Sequence, residues 1–189
     1  MNNKRKKRNW MILSMLMLVL CTNQLYSGEI TIRPYGGLGH TMMSEIDLVN
    51  TPSRDSKSYR FGLQGLYGIN EHLSVGLDIG YQHHYWMSVS NSPDINVRSL
   101  TPRLLAQFQM SHFFFQLGLG ANIAMGDNTD VFESAMVAAG IDIPINSYLA
   151  LPIMARMDIS TVRFDLPGYG VVEQGIAPVS IMMGLTIKL

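Results

Sequence analysis

Apolar and polar residues alternate with a period of two along most of the chain after residue 27. Between Tyr59 and Tyr67 the odd positions are apolar or aromatic apart from one glycine, and the even positions are mostly polar or glycine. This period places successive side chains on opposite faces of a β-strand. From Gly28 onward no segment shows the longer period of an amphipathic helix. The pattern predicts an all-β fold.

Eight segments carry this alternation, each bounded by turn or loop residues. Three connections between them are short (70–72, 110–112 and 144–147), and four are longer (40–57, 85–97, 125–132 and 160–176). Short turns at one end and long loops at the other are typical of an antiparallel up-and-down transmembrane barrel. The predicted strands are Glu29 to Gly39, Ser58 to Ile69, Leu73 to His84, Arg98 to Gln109, Phe113 to Ala124, Glu133 to Ile143, Tyr148 to Ile159 and Ala177 to Leu189.

The composition of the polar face indicates whether that face lines the barrel interior or meets the surrounding water. The polar face is crowded with glycine and poor in Lys and Glu, and only 15% of the whole chain is charged. A water-facing surface carries roughly 25–35% charged residues. Small residues instead suit the narrow interior of an eight-stranded barrel, where they leave room for a few large side chains. The apolar face is therefore predicted to face lipid, and a soluble lipocalin-type barrel is the alternative.

The first 27 residues have the three parts of a secretory signal peptide. A basic start, Lys4 to Arg8, precedes the apolar run Trp10 to Cys21, and a polar stretch ends at Ser27. The apolar run is short for a membrane span, so cleavage after Ser27 is expected rather than retention as an anchor. Lipidation of Cys21 is the alternative, but Leu20 is larger than the residue that usually precedes a lipidated cysteine. The predicted division is a signal peptide (1–27) and a barrel domain (28–189).

Charge and side-chain chemistry exclude several function classes. Five of the fourteen basic residues lie in the first eight positions, so nine remain against fourteen acidic residues, and nucleic acid is not an expected partner. Cys21 is the single cysteine. His83 and His84 are adjacent on a strand and point to opposite faces, so they cannot share a metal. No catalytic, metal or cofactor site is predicted, and the protein is not expected to be an enzyme.

The opening strand (residues 32–39), the hairpin from Tyr59 to Tyr81 and the C-terminal hexapeptide resemble the small OmpA/OmpX-like outer-membrane β-barrels. The resemblance covers residues 28–189. It implies an insertion signal at Gly184, Ile187 and Leu189, although the family usually ends in an aromatic residue instead of Leu189. It also implies residence in the outer membrane of a diderm bacterium, with membrane lipid and the outer-membrane assembly machinery as partners, and a monomeric barrel.

The inward face carries ionisable residues that the barrel would enclose. Enclosed charges should pair or remain hydrated, because unpaired burial is costly. We expect a polar interior that plugs the barrel, and a structural or surface-interaction role in which the long loops contact any extracellular ligand. A small gated channel or hydrophobic-ligand conduit and a lipid-modifying enzyme are the alternatives. The predicted interior network is Arg33, Arg60, Asp78, Arg103, Asp142, Arg156 and Asp158, with Gln64, Gln107 and Gln116 among them.

Overall fold

A computed structural model describes residues 28–43, 56–86, 95–125, 131–166 and 170–189. The predicted signal peptide, including the cleavage site and Cys21, lies outside the described residues. No helix in the described ranges is long and apolar enough to cross a membrane. The strands are β1 (Ile30–Met43), β2 (Ser56–Gly68), β3 (Leu73–Trp86), β4 (Ile95–Met110), β5 (Phe113–Ala124), β6 (Val131–Pro144), β7 (Leu149–Leu166), β8 (Gly170–Gly184) and β9 (Thr186–Lys188).

From β1 to β8 each strand pairs antiparallel with the next, and β1 pairs with both β2 and β8. The sheet therefore closes on itself and leaves no edge open to pairing with another chain. Strand β9 pairs with β1 and β7 in the register of β8, so it continues the eighth strand. The predicted eight-stranded antiparallel barrel is confirmed.

Proline explains the interruption between β8 and β9, where the predicted last strand was continuous. Pro34 of β1 and Pro152 of β7 flank the Gly184–Leu185 step from its two sides. Neither proline has an N–H to give to the strand between them. The Leu185 amide still donates to the Pro34 carbonyl at 3.0 Å, so one hydrogen bond spans the break.

The strands extend further toward the loop end than the sequence predicted. Residues 40–43 and 56–57 of predicted loop 40–57 belong to β1 and β2, and residues 85–86 and 95–97 of predicted loop 85–97 belong to β3 and β4. The largest error is loop 160–176, of which only 167–169 lies outside β7 and β8. Beyond Ser160 the apolar positions change from odd to even, which ended the predicted strand. Backbone pairing does not require an apolar face, so the hairpin continues.

Two of the three short turns use the same sequence pattern and the same hydrogen bonds. In Ile69 to Leu73 and in Ile145 to Leu149, an asparagine side chain accepts two backbone N–H groups at 2.8–2.9 Å. The backbone N–H groups of Asn70 and Asn146 donate to the carbonyls of Leu73 and Leu149, which close the two turns. Asparagine favours such turns because its side chain can replace a backbone acceptor.

The two faces of the barrel differ in composition. Outward side chains between the ends are apolar, and the outward histidine, lysine, arginine and glutamate residues described near the loop end are His40, Lys57, His83, Arg98 and Glu133. The apolar stretch from Leu100 to Phe108 corresponds to about 20 Å of height at the usual rise and tilt. Inside, large and small residues alternate around the wall, as predicted from the glycines. One such row of cross-strand partners is Leu66, Gly76, Leu105, Gly118 and Met136.

Candidate functional site

All seven predicted interior residues are buried inside the barrel, where they form two groups. Five make a central cluster at mid-height, and the other two pair closer to the short turns. The central cluster comprises Arg60, Asp78, Arg103, Arg156 and Asp158.

Asp158 is the centre of this cluster, because three guanidinium groups contact its carboxylate. Arg103 Nη2 lies 2.8 Å from Oδ1, and Arg156 Nε lies 3.1 Å from Oδ2. Arg60 Nη1 also pairs with Oδ2. Both side chains of each pair are shielded from solvent, so each arginine relies on the carboxylate and not on bulk water to offset its charge.

Asp78 is the second carboxylate of the cluster. It pairs with Arg156 Nη2 at 2.7 Å and with Arg103 Nη1 at 3.5 Å. The Tyr35 hydroxyl donates to Asp78 Oδ1 at 2.6 Å, and Arg156 Nη1 in turn donates to that hydroxyl at 3.3 Å. Hydrogen bonds to charged groups are stronger than neutral ones, so Tyr35 is an integral part of the cluster.

The strand order shows which walls of the barrel these ion pairs connect. Asp78 is on β3 and Arg156 is on β7, and these strands are four apart in a closed circle of eight. The 2.7 Å ion pair between them therefore crosses the lumen from one wall to the opposite wall. The Arg60–Asp158 pair also spans the interior, from β2 to β7, which are three strands apart.

A second group, the turn-side cluster, surrounds the Arg33–Asp142 ion pair. Arg33 Nη2 lies 3.0 Å from Asp142 Oδ2, and Arg33 Nε donates to the Thr186 hydroxyl at 3.0 Å. Arg33 Nη1 donates to Gln107 at 3.0 Å, and its guanidinium stacks over the Phe114 ring at 4.6 Å. The turn-side cluster is Arg33, Gln64, Gln107, Gln116, Asp142 and Thr186, in which Gln116 bonds both Gln64 and Gln107.

The loop-side half of the lumen is polar, and the described residues provide fewer side-chain hydrogen bonds there. His84 and Ser160 are buried in this half, and we call four further buried residues the loop-side polar set: Ser58, Gln82, Ser99 and Asn122. Each is buried, and each has at least one side-chain atom without a partner among the described residues: the two Ser Oγ atoms, Gln82 Nε2 and Asn122 Oδ1. In the central cluster, Arg60 Nε also has no hydrogen-bond partner among the described residues.

Several interior residues were not predicted from the sequence. Tyr35, Thr101 and Ser134 all bond members of the central cluster. Their parity along the strands would have placed them inside, because each is an even number of residues from a predicted member. The prediction also missed an apolar cluster that shares the lumen and includes Leu66, Leu105, Phe114, Met136, Met154 and Met182.

The predicted insertion signal lies at the turn end of the barrel. Gly184 ends β8, Ile187 pairs with β1, and the Leu189 amide donates to the Ile30 carbonyl at 2.8 Å. The Leu189 side chain is exposed. A signalling role for these three residues stays a prediction.

Comparison with solved structures places the chain among small outer-membrane barrels by fold. It is similar to the outer membrane protein OprG from Pseudomonas aeruginosa, with a TM-score of 0.56 and 16% identity over 86% of this chain and 96% of that one. Neisserial surface protein A matches at 0.52 and 11% over 85% and 97%. Ail, the attachment invasion locus protein of Yersinia pestis, matches at 0.50 and 13% over 86% and 99%.

Neither the protein-family models nor the curated proteins include a match. At the identities found, the structural likeness establishes the fold alone. The chain has the fold of the small eight-stranded outer-membrane barrels.

Proposed function

We propose that the protein is an integral outer-membrane barrel of a diderm bacterium whose interior is a structural plug. Its role is then to support the envelope or to interact at the cell surface, without catalysing a reaction. The observation that carries the proposal is the pair of ion pairs that span the lumen, Asp78 to Arg156 between opposite walls and Arg60 to Asp158 between strands three apart.

The outer wall supports residence in a membrane. Leu104, Leu119 and Ile181 are each 69% exposed, and they lie at mid-strand positions where a water-facing surface would carry charge. An exposed apolar surface of this extent marks contact with a membrane or a partner. A belt of outward apolar residues is the property that keeps a barrel in a bilayer, so membrane lipid is the proposed partner. The OmpA/OmpX-like resemblance and cleavage of residues 1–27 belong to the same proposal.

The central cluster disfavours a channel or a conduit for hydrophobic ligands. A permeating molecule would have to separate ion pairs whose members are excluded from water, and breaking such a pair leaves a costly buried charge. With the lumen closed, the outer wall and the loop end are the surfaces on which the protein can act. Residues 44–55, 87–94, 126–130 and 167–169 of the four predicted loops lie outside the described residues, and an extracellular ligand at the loops stays a hypothesis.

The first test is to fold the chain in detergent micelles and compare its gel mobility with and without boiling. We expect a heat-dependent shift and a β-type circular dichroism spectrum. A protein that stays monomeric and soluble without detergent would contradict membrane residence.

The plug is tested by reconstituting the folded protein in planar bilayers. We expect no steady single-channel steps from the wild type. Reproducible steps would replace the structural role with the gated-channel alternative. Mass analysis of lipid A with and without the protein should show an unchanged profile, and a new lipid species would establish the enzyme alternative.

A further inference from the structure

The buried charges of the lumen do not balance. Four arginines and three aspartates are buried there, and Arg33 and Asp142 pair with each other in the turn-side cluster. The central cluster is left with three guanidinium groups and two carboxylates. Because arginine keeps its proton in proteins, this cluster carries one surplus positive charge. An uncompensated charge in an enclosed space is expensive, so a neutralising partner is expected.

The surplus lies at Arg60. Arg103 and Arg156 each contact both carboxylates of the cluster, whereas the only carboxylate that Arg60 contacts among the described residues is Asp158. Arg60 Nη2 donates to the Thr101 hydroxyl at 2.8 Å, but Arg60 Nε has no acceptor in the described part of the chain. Arg60 is therefore the guanidinium with unused capacity to bind an anion.

Three further donors lie near Arg60, one on its own strand and one on each of the next two strands. Gln82 of β3 is the direct cross-strand partner of Arg60, and Ser99 of β4 is the direct partner of Gln82. Ser58 precedes Arg60 by two residues on β2, so it lies on the same inward face. The described residues provide no partner for Gln82 Nε2, Ser58 Oγ or Ser99 Oγ, although all three side chains are buried. The amide nitrogen can only donate, and both hydroxyls can donate.

We propose that this loop-side part of the lumen binds one small monovalent anion of the halide class through Arg60, Gln82, Ser58 and Ser99. One negative charge cancels the surplus of the central cluster, and the four unused donors complete its coordination. A divalent anion would reverse the sign of the imbalance. Water would satisfy the donors but would leave the charge uncompensated. The inference goes beyond the proposed function, because it concerns occupancy of the lumen and not transport through it.

The test compares the thermal unfolding of the full chain, folded in an uncharged detergent, in sodium bromide and in sodium gluconate at equal ionic strength. Gluconate is a much larger anion than bromide, so it controls for screening of surface charges. The midpoint should rise with bromide by about 4 °C for each tenfold increase above the dissociation constant. Equal midpoints in the two salts would overturn the proposal.

Two variants locate the effect. The double variant Gln82→Leu/Ser99→Ala removes two donors without touching an ion pair, and we expect at least a tenfold weaker dependence on bromide. Gln64→Leu is the matched control, because Gln64 is buried on the same strand as Arg60 but bonds Gln116 in the turn-side cluster. It should keep the wild-type dependence on bromide. A double variant that also keeps it would contradict the assigned site.

A measurement on the wild type alone covers the case in which the double variant does not fold. Crystals grown in sodium bromide should show an anomalous scattering peak next to Arg60 Nε and Gln82 Nε2. Absence of a peak at this position would refute the site.

Discussion

The two halves of the lumen on either side of the central cluster use polar residues differently. In the turn-side half, Arg33 contacts Asp142, Gln107 and Thr186, and the amides of Gln64 and Gln116 bond each other. In the loop-side half, Ser58, Gln82 and Ser99 are equally buried but have unpaired side-chain atoms among the described residues. A satisfied polar network rigidifies a core, whereas an unsatisfied one needs a ligand or water. We therefore expect the turn-side half to act as a structural core, and the proposed anion site lies in the loop-side half.

The largest effect is expected from Asp158→Asn, because it removes the charge that holds three arginines together at the boundary of the two halves. Breaking a buried ion pair costs about 3–5 kcal/mol of unfolding free energy. Urea unfolding in lipid vesicles would measure the loss. Glu133→Gln, at an exposed outward position, is the control and should change stability by less than about 0.5 kcal/mol. A variant as stable as the wild type would show that Asp158 does not organise the cluster.

Next is Gly80→Val, which tests whether inward glycines make room for the central cluster. A Cβ at Gly80 would lie 2.8 Å from Tyr35 Oη and 3.1 Å from Arg60 Nη2. Overpacking of this kind costs about 1–3 kcal/mol. The matched control is Gly65→Val on the outward face, where a Cβ meets no atom within 4 Å. The control should be neutral or stabilising, since valine favours strands. Equal losses in both variants would mean that strand propensity, not space, is responsible.

A pair of glutamine variants, one in each half of the lumen, compares the two halves directly. Gln64→Leu breaks two amide hydrogen bonds to Gln116 and should cost about 1–3 kcal/mol, because it leaves buried groups unpaired. Gln82→Leu removes a donor that is already unpaired, so in sodium gluconate it should be neutral or stabilising. Chemical unfolding of both proteins in that salt decides the matter. A larger loss from Gln82→Leu would reverse the assignment of the halves.

The smallest effects are expected in the turns. Asn70→Ala and Asn146→Ala each remove two side-chain acceptors for backbone N–H groups. Each should lower the unfolding free energy by about 0.5–1.5 kcal/mol, and by similar amounts, because the two turns share their geometry. Unequal losses would show that the turns are stabilised by different contacts.

The alternation of residues was sufficient to predict the barrel, because lipid on one side and a polar interior on the other force a period of two. It gave the bounds of β5, Phe113–Ala124, without error. It failed for β7 beyond Ser160, where the apolar positions change parity while the backbone pairing with β8 continues.

Parity also identified the buried arginines and aspartates, but it could not pair them. Asp78 meets Arg156 from the opposite wall, and that contact depends on strand register and closure, which no local pattern encodes. For the same reason, the sequence could not predict the surplus charge at Arg60. That surplus exists because Asp142 pairs with Arg33 and not with the central cluster.

The most direct test of the account is the accessibility of spin labels on the two faces of the wall. Residues 28–189 contain no cysteine, so single cysteines at Leu104, outward and exposed, and at Leu105, inward and buried, can each carry a nitroxide. In lipid vesicles the label at 104 should collide with dissolved oxygen and be protected from a water-soluble nickel complex, and the label at 105 should be protected from both. A label at 104 that collides freely with the nickel complex would contradict the lipid-facing wall and the membrane barrel.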